Sequence, residues 1–324
     1  MITRNRIVNG ISKFSKNYFI FYALVIIGIV FSILAPNYFK LNNLIAILRQ
    51  AAITAVVAAG QYCVLVGGDF DLSVGANVTI SGVVFSGAMV SFGIDPVIAA
   101  LLALITGLII GVINGLLITK TKMPAFIATM ATMMVCEGLS LLLTKAAPIS
   151  NLPKSIGWIG RGTIGDINVF GVPYLVVIML VIFVALYIVT EKTNLGRYIF
   201  AMGGNPEATY LSGINIQRLK LGTYLLSGGI AAIASIMMVS RLGVGDPYAG
   251  TGYEFDTITA CVIGGTAITG GKGKIFGVLI GALFLSALFN GMTQLNVNTF
   301  VQQILKGVVL AAAVGIDTVR NKKD

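Results

Sequence analysis

Apolar runs of roughly twenty residues follow one another along this chain almost without charge, and a lipid bilayer is the solvent that suits such a series. About ten can be placed: Tyr18–Leu34, Leu44–Val66, Leu72–Phe92, Pro96–Thr119, Pro124–Thr144, Pro173–Val189, Gly222–Ser240, Phe255–Thr269, Ile275–Asn290 and Thr299–Ile316. Hydrocarbon offers the backbone no hydrogen-bond partner, so the runs are expected to be helices. The eighth and ninth are short for full crossings and are expected to be tilted, broken or re-entrant. The predicted fold is an all-α polytopic membrane protein, one transmembrane domain over residues 1–324.

Composition agrees and excludes other classes. Charged residues make up 10% of the chain, against about 25% in soluble domains. There is no histidine, the commonest transition-metal ligand and general base. The acids are few and scattered, so neither a metal site nor a hydrolytic centre is expected. Cys63, Cys136 and Cys261 all sit in apolar runs and cannot build a secreted disulfide framework.

The net charge of +10 is placed at span ends rather than on one basic face, which argues against nucleic acid. Arg4, Arg6, Lys13 and Lys16 precede the first run, and Arg320, Lys322 and Lys323 follow the last. With both termini in the cytoplasm, 15 Lys and Arg fall inside and 5 outside (Lys40, Lys145, Lys154, Arg161 and Arg241), with Arg49 and Lys306 in spans. That asymmetry favours this orientation over its inverse. The first run is too long for a signal core, and Ala35-Pro36 is a poor cleavage site, so it is read as a retained membrane helix. The external loops are then Lys145–Val172 and Arg241–Glu254.

One cytoplasmic stretch, 191–221, carries helical punctuation. Asn205-Pro206 is a start signal, Glu207-Ala208 follow, and Gly213 is a stop. Tyr210 and Leu211 give this short helix a partly apolar face in an exposed loop, the shape of an element that docks on a partner.

Short segments at corresponding places in the two halves of the chain resemble each other weakly. Asp69-Phe70-Asp71-Leu72-Ser73 aligns with Glu254-Phe255-Asp256-Thr257-Ile258, and Asn114-Gly115 with Asn290-Gly291. An offset of five spans reverses orientation, which would make an inverted five-plus-five repeat of the kind common in transporters.

Gly67-Gly68-Asp69-Phe70-Asp71-Leu72-Ser73-Val74-Gly75 interrupts two apolar runs with two carboxylates. Each aspartate costs ~3 kcal/mol at a helix centre. Asp71 can cap the third helix by accepting from the free amide of Ser73 or Val74, or the segment can line a solute route; both can hold together. Asn77 and Thr79 follow on the same helix. Glu137 and Lys306 lie inside the fifth and tenth spans, where ionisable groups usually pair; either they pair with each other or both sit in wet cavities with separate partners. The run Gly264–Lys274 invites a nucleotide-loop reading but lacks Gly-Lys-Ser/Thr at the required spacing. It is read as close helix packing and a turn.

Together these segments resemble the sugar-type permeases of bacterial ATP-binding-cassette importers, the ribose, xylose, galactose and arabinose group, over nearly the whole chain. Gly68-Asp69-Phe70-Asp71-Leu72-Ser73-Val74-Gly75 looks like that group's Gly-Ile-Asp-Leu-Ser-Val-Gly signature, with Phe70 for isoleucine. Asn114–Leu117, Pro124–Thr129 and Val262–Gly273 follow the group's pattern. Glu207, Ala208 and Gly213 match its coupling motif, in which Thr209 stands where alanine is usual.

The resemblance implies an architecture like the vitamin B12-type importers, in the bacterial inner membrane. It implies a permease of two copies, or one copy and a paralogue, beside two ATPase domains that hold ATP and Mg2+. No cofactor is expected on this chain. An extracytoplasmic binding protein would deliver a monosaccharide. Asp69, Asp71, Ser73, Asn77, Thr79 and Asp256 are the expected solute route. Asn205, Glu207, Ala208, Tyr210, Gly213 and Ile214 are the expected ATPase contact. Rival expectations are an importer of nucleosides, branched-chain amino acids or a signalling sugar, and an ion-coupled secondary transporter.

Overall fold

A computed structural model describes residues 20–165 and 171–321. The terminal basic residues up to Lys16, with Lys322 and Lys323, lie outside the described residues, as do Tyr18 and Phe19. Thirteen helices are described, of which eight are long and apolar enough to cross a membrane.

In chain order the crossing helices are α2 (Leu41–Val66), α3 (Val74–Phe92), α4 (Pro96–Lys120), α5 (Ala125–Thr144), α7 (Tyr174–Tyr187), α10 (Ile216–Leu242), α12 (Ile275–Gln294) and α13 (Thr299–Asn321). The shorter helix α1 (Ile20–Leu34) precedes them, and α7 continues through a π-helical turn at Ile188–Lys192. The short helices are α6 (Gly157–Arg161), α8 (Asn194–Gly204), α9 (Pro206–Leu211) and α11 (Tyr253–Ile263). The β structure among the described residues is a two-residue antiparallel ladder, Thr163–Ile164 with Val172–Pro173, and an isolated antiparallel bridge between Ile149 and Gly245.

The eighth run is short, as expected: it forms only α11, 11 residues or about 16 Å at 1.5 Å per residue, half of a ~30 Å hydrocarbon core. The ninth, expected to be short, is a full helix of 20 residues running past Asn290-Gly291. Gly291 is a packing site rather than a stop: a Cβ there would stand 2.3 Å from the Phe31 ring of α1. Helix α10 also starts six residues earlier than expected, because Asn215 Oδ1 caps it by accepting from the Arg218 amide at 3.0 Å.

Helix α2 is the axis of the bundle. From Ala51 to Val66 every residue is buried, against α7, α10, α11 and α12. In lipid, apolar surface gives helices no reason to associate, so contact depends on small residues that let backbones close. Helix α4 shows this division. Leu101, Ile105, Ile109, Ile113 and Leu116 form an exposed stripe suited to lipid, whereas Ala99, Ala103, Gly107, Gly111 and Asn114 are buried. A Cβ at Gly107 would lie 2.5 Å from the Gly228 carbonyl of α10, so the crossing admits no side chain.

The packing repeats between the halves. Helix α10 lies against α2, α3 and α4; α2 lies against α10, α11 and α12. Likewise α3 meets α4 and α5, and α11 meets α12 and α13. Exchanging α2–α5 for α10–α13 therefore preserves these neighbours, in keeping with the sequence likeness between the starts of α3 and α11.

Candidate functional site: a broken helix, a polar cavity and a protruding helix

After Val66 the chain turns through Gly67 and Gly68 (φ +85°) and runs unwound to Ser73. One face of α10 holds this break residue by residue. Lys220 Nζ donates to both Asp69 carboxylate oxygens at 2.9 and 2.7 Å. The Tyr224 hydroxyl donates to the Phe70 carbonyl at 2.9 Å, and the Ser227 hydroxyl to Asp71 Oδ2 at 2.9 Å. Lys220, Tyr224 and Ser227 are spaced i, i+4, i+7, one stripe of a helix. Sequence reasoning missed this stripe, although a Lys, a Tyr and a Ser at helical spacing in an apolar run were its visible signal.

Asp71 is 3% exposed and fully occupied. Besides Ser227 it accepts from the Ser73 amide at 2.9 Å and the Ser73 hydroxyl at 2.6 Å. Ser73 Oγ in turn accepts from Asn114 Nδ2 of α4 at 2.7 Å. The Ser73 amide donates to Asp71 as expected, but Ser73 and not Asp71 is the N-cap of α3, so the contact closes the turn ahead of the helix rather than capping it. Asn77 donates to the Gly107 carbonyl at 3.3 Å and accepts from Ser81. Thr79 donates to the Gly75 carbonyl and accepts from the Gly250 amide at 2.9 Å. The structure thus gathers Asp69, Asp71, Ser73, Asn77 and Thr79 at one end and flank of α3. All but Asp69 are buried, and all are bonded to protein.

Asp256 shares no hydrogen bond with that set. Its Oδ2 takes Lys306 Nζ of α13 at 2.6 Å. A Glu137–Lys306 pair is therefore not formed: α5, which carries Glu137, packs on α3 and α4, while α13 packs on α11 and α12. Around Asp256 and Lys306 lies a cavity of about 190 Å3 lined by Gln50, Thr54, Phe289, Asn290, Thr293 and Gln302 among others.

On the far side, α8 and α9 replace the single short helix expected in 191–221. Thr193 caps α8, and Asn205 Oδ1 caps α9 by accepting from the Ala208 amide at 3.0 Å, with Pro206 in the first turn. Gly213 closes α9 with φ +82°. Glu207, Ala208, Tyr210 and Leu211 are exposed, Tyr210 at 68% and Leu211 at 79%. Thr209 is buried and bonds back to the Asn205 carbonyl, so the threonine at that position faces its own chain. Tyr210, Gly213, Ile214 and Gln217 border an open groove of about 710 Å3.

The end of α8 rests on the broken element. Gly203 packs against Val66, where a Cβ would fall 1.9 Å from the carbonyl oxygen, and the Gly271 amide donates to that same oxygen at 2.9 Å. Gly264 likewise closes on the Gly277 carbonyl. The glycine-rich run Gly264–Lys274 is thus a packing and turn element, tied to α2 and α8.

Known proteins resemble this chain in sequence over most of its length. Residues 43–314 match the family described as the branched-chain amino acid transport system permease component. The ribose import permease protein RbsC of Escherichia coli K12 is 41% identical over 304 residues, covering 93% of this chain and 92% of that protein. RbsC of Bacillus subtilis is 43% identical, covering 92% and 91%. The D-allose transport system permease protein AlsC of Escherichia coli K12 is 34% identical, covering 95% and 94%. No solved structure matches the chain at a significant level.

Proposed function

The chain belongs to the family of branched-chain amino acid transport system permease components, and on that premise we propose that it is the membrane permease of an ATP-driven monosaccharide importer. Relatives aligned over nine-tenths of their length are named for ribose and allose. The Asp71–Gly75 run, which resembles the signature of the sugar group, supports a polyol-like solute over an amino acid.

The observation that carries the reading is α9: a capped helix between α8 and α10 that holds Tyr210 and Leu211 out of the protein. An exposed aromatic and leucine on a rigid short helix fit a groove on a partner. That partner is the ATPase subunit, which carries ATP and Mg2+; this chain carries no cofactor. Both termini and α9 then face the cytoplasm, in a bacterial inner membrane. The loops 145–172 and 241–254 face outward, where an extracytoplasmic binding protein delivers the sugar. A second copy or a paralogue completes the pore.

Coupling follows from the contacts. ATP binding moves the ATPase pair, and α9 moves with it. Because α8 ends on Val66 and Gly271, the displacement reaches the unwound Gly67–Ser73 segment directly. The helix transmits work only if its contacts with the ATPase differ between the two states.

The test is co-purification with a candidate ATPase subunit of a sugar importer from the same organism. Leu211→Glu and Tyr210→Ser alter exposed side chains, so membrane insertion should be unchanged. ATPase capture and ATP-dependent uptake should fall at least tenfold. Uptake that persists in vesicles lacking any ATPase would instead establish an ion-coupled transporter.

A further inference from the structure

We propose that the cavity between α2, α11, α12 and α13 is a station that binds one polyhydroxylated ring during transfer, an inference that rests on the sugar-import reading and locates its solute. Its volume of about 190 Å3 is well above the ~10–15 Å3 that one ordered water needs, which is room for a single sugar ring.

The lining suits hydroxyl groups, each of which both donates and accepts. Asp256 Oδ2 takes Lys306, which leaves Oδ1 as an acceptor and two ammonium hydrogens as donors. Asn290 Oδ1 already accepts from Asn43 at 2.9 Å, so its amide nitrogen is the group left over. Gln302 Nε2 bonds the Val297 carbonyl at 3.0 Å, so its oxygen is left over. Gln50 adds a third carboxamide, and the Phe289 ring covers carbon. The Asp–Lys pair is neutral overall, so the site favours an uncharged polyol over a phosphorylated or anionic solute.

The first half shows the same position built shut. Asp71 aligns with Asp256 and Asn114 with Asn290. Around Asp71 the hydroxyls of Ser73 and Ser227 satisfy the carboxylate, and Asn114 closes over Ser73. In the second half Ile258 replaces Ser73 and offers no hydroxyl. Asp256 is left facing a cavity and a lysine.

Position fits delivery. Gln50 lies in the half of α2 remote from Val66, where α8 docks, Thr54 lies at mid-helix, and Thr293 sits in the last turn of α12, the end away from Gly271. Thr54 and Val66 are twelve residues apart, about 18 Å along the axis. The station therefore opens toward the membrane face opposite α9.

The experiment uses the permease reconstituted in proteoliposomes with its ATPase and binding protein, and reads D-ribose moved per ATP hydrolysed. Asn290→Leu and Gln302→Leu should lower that ratio at least tenfold while binding-protein-stimulated hydrolysis stays within twofold; a purely structural role would lower both together. In parallel, Thr293→Cys, at an exposed position on the cavity, is labelled with a charged methanethiosulfonate. The native cysteines are buried. Millimolar D-ribose should slow labelling at least threefold, and this arm decides if a leucine variant does not assemble. An unchanged ratio, or labelling indifferent to ribose in a protein that transports it, overturns the station and leaves the importer reading intact. A wild-type complex that moves none of ribose, xylose or allose overturns the importer reading, and the station with it.

Discussion

Lys306 Nζ lies 2.6 Å from Asp256 Oδ2 and ties α13, a helix otherwise largely exposed, to the half-length helix α11. The side chains are 39% and 18% exposed, so the pair is worth more than the ~1 kcal/mol of a surface bridge and less than the ~3–5 kcal/mol lost on breaking a fully buried one. In a cycle of Asp256→Asn, Lys306→Gln and the double variant, thermal midpoints in detergent should be non-additive. Glu137→Gln with Lys306→Gln should be additive. Coupling between Glu137 and Lys306 would contradict the arrangement of α5 and α13.

Asp71 should behave as a structural knot. Removing the carboxylate in Asp71→Ala leaves the Ser73 amide, the Ser73 hydroxyl and the Ser227 hydroxyl without their acceptor. At ~1–3 kcal/mol for each stranded buried group, the loss should be on the order of 3 kcal/mol or more. Ser227→Ala deletes one of the three bonds and should cost about 1 kcal/mol. Equal melting temperatures for the two variants would mean that the α10 stripe does not hold the break.

The sequence made some of this legible and hid the rest for identifiable reasons. Span number and the break at Gly67–Ser73 could be read because lipid imposes length and the two aspartates need a reason to be there. The start of α9 could be read because Asn205-Pro206 is a local capping signal. The end of α12 could not: Asn290-Gly291 has the look of a stop, and only the approach of Phe31, 260 positions earlier, turns Gly291 into a contact. The partner of Lys306 was hidden for the same reason, since depth in the membrane says that a lysine pairs but only helix adjacency says with what. Asp256 and Asp71 look alike in sequence; the difference between Ile258 and Ser73 sends one to a cavity and the other into a knot.

Asn205 offers a test of how rigidly α9 must be held. Its side chain satisfies the Ala208 amide at the start of a six-residue helix, and such caps are worth ~1 kcal/mol. Asn205→Ala should leave the melting temperature of the membrane bundle unchanged and weaken ATPase capture several-fold, because α9 would have to be ordered on docking. Capture at wild-type strength would show that the partner, and not the cap, sets the helix.

Two glycine substitutions separate close approach from mere helix propensity. At Gly203 an added methyl would meet the Val66 carbonyl at 1.9 Å and the Gly271 amide at 2.6 Å. Both are backbone atoms that cannot swing aside, so Gly203→Ala should cost ~1–3 kcal/mol or shift α8 away from the break. At Gly222, within α10, nothing lies within 4 Å of the added methyl. Gly222→Ala should be neutral or stabilising by up to ~1 kcal/mol, since alanine is the better helix former. The decisive readout is uptake relative to ATP hydrolysis. If the contact of α8 with α2 carries motion from the ATPase, Gly203→Ala hydrolyses ATP with little uptake, whereas Gly222→Ala transports normally. Uptake that falls only in proportion to folded protein would reduce the Gly203 contact to packing.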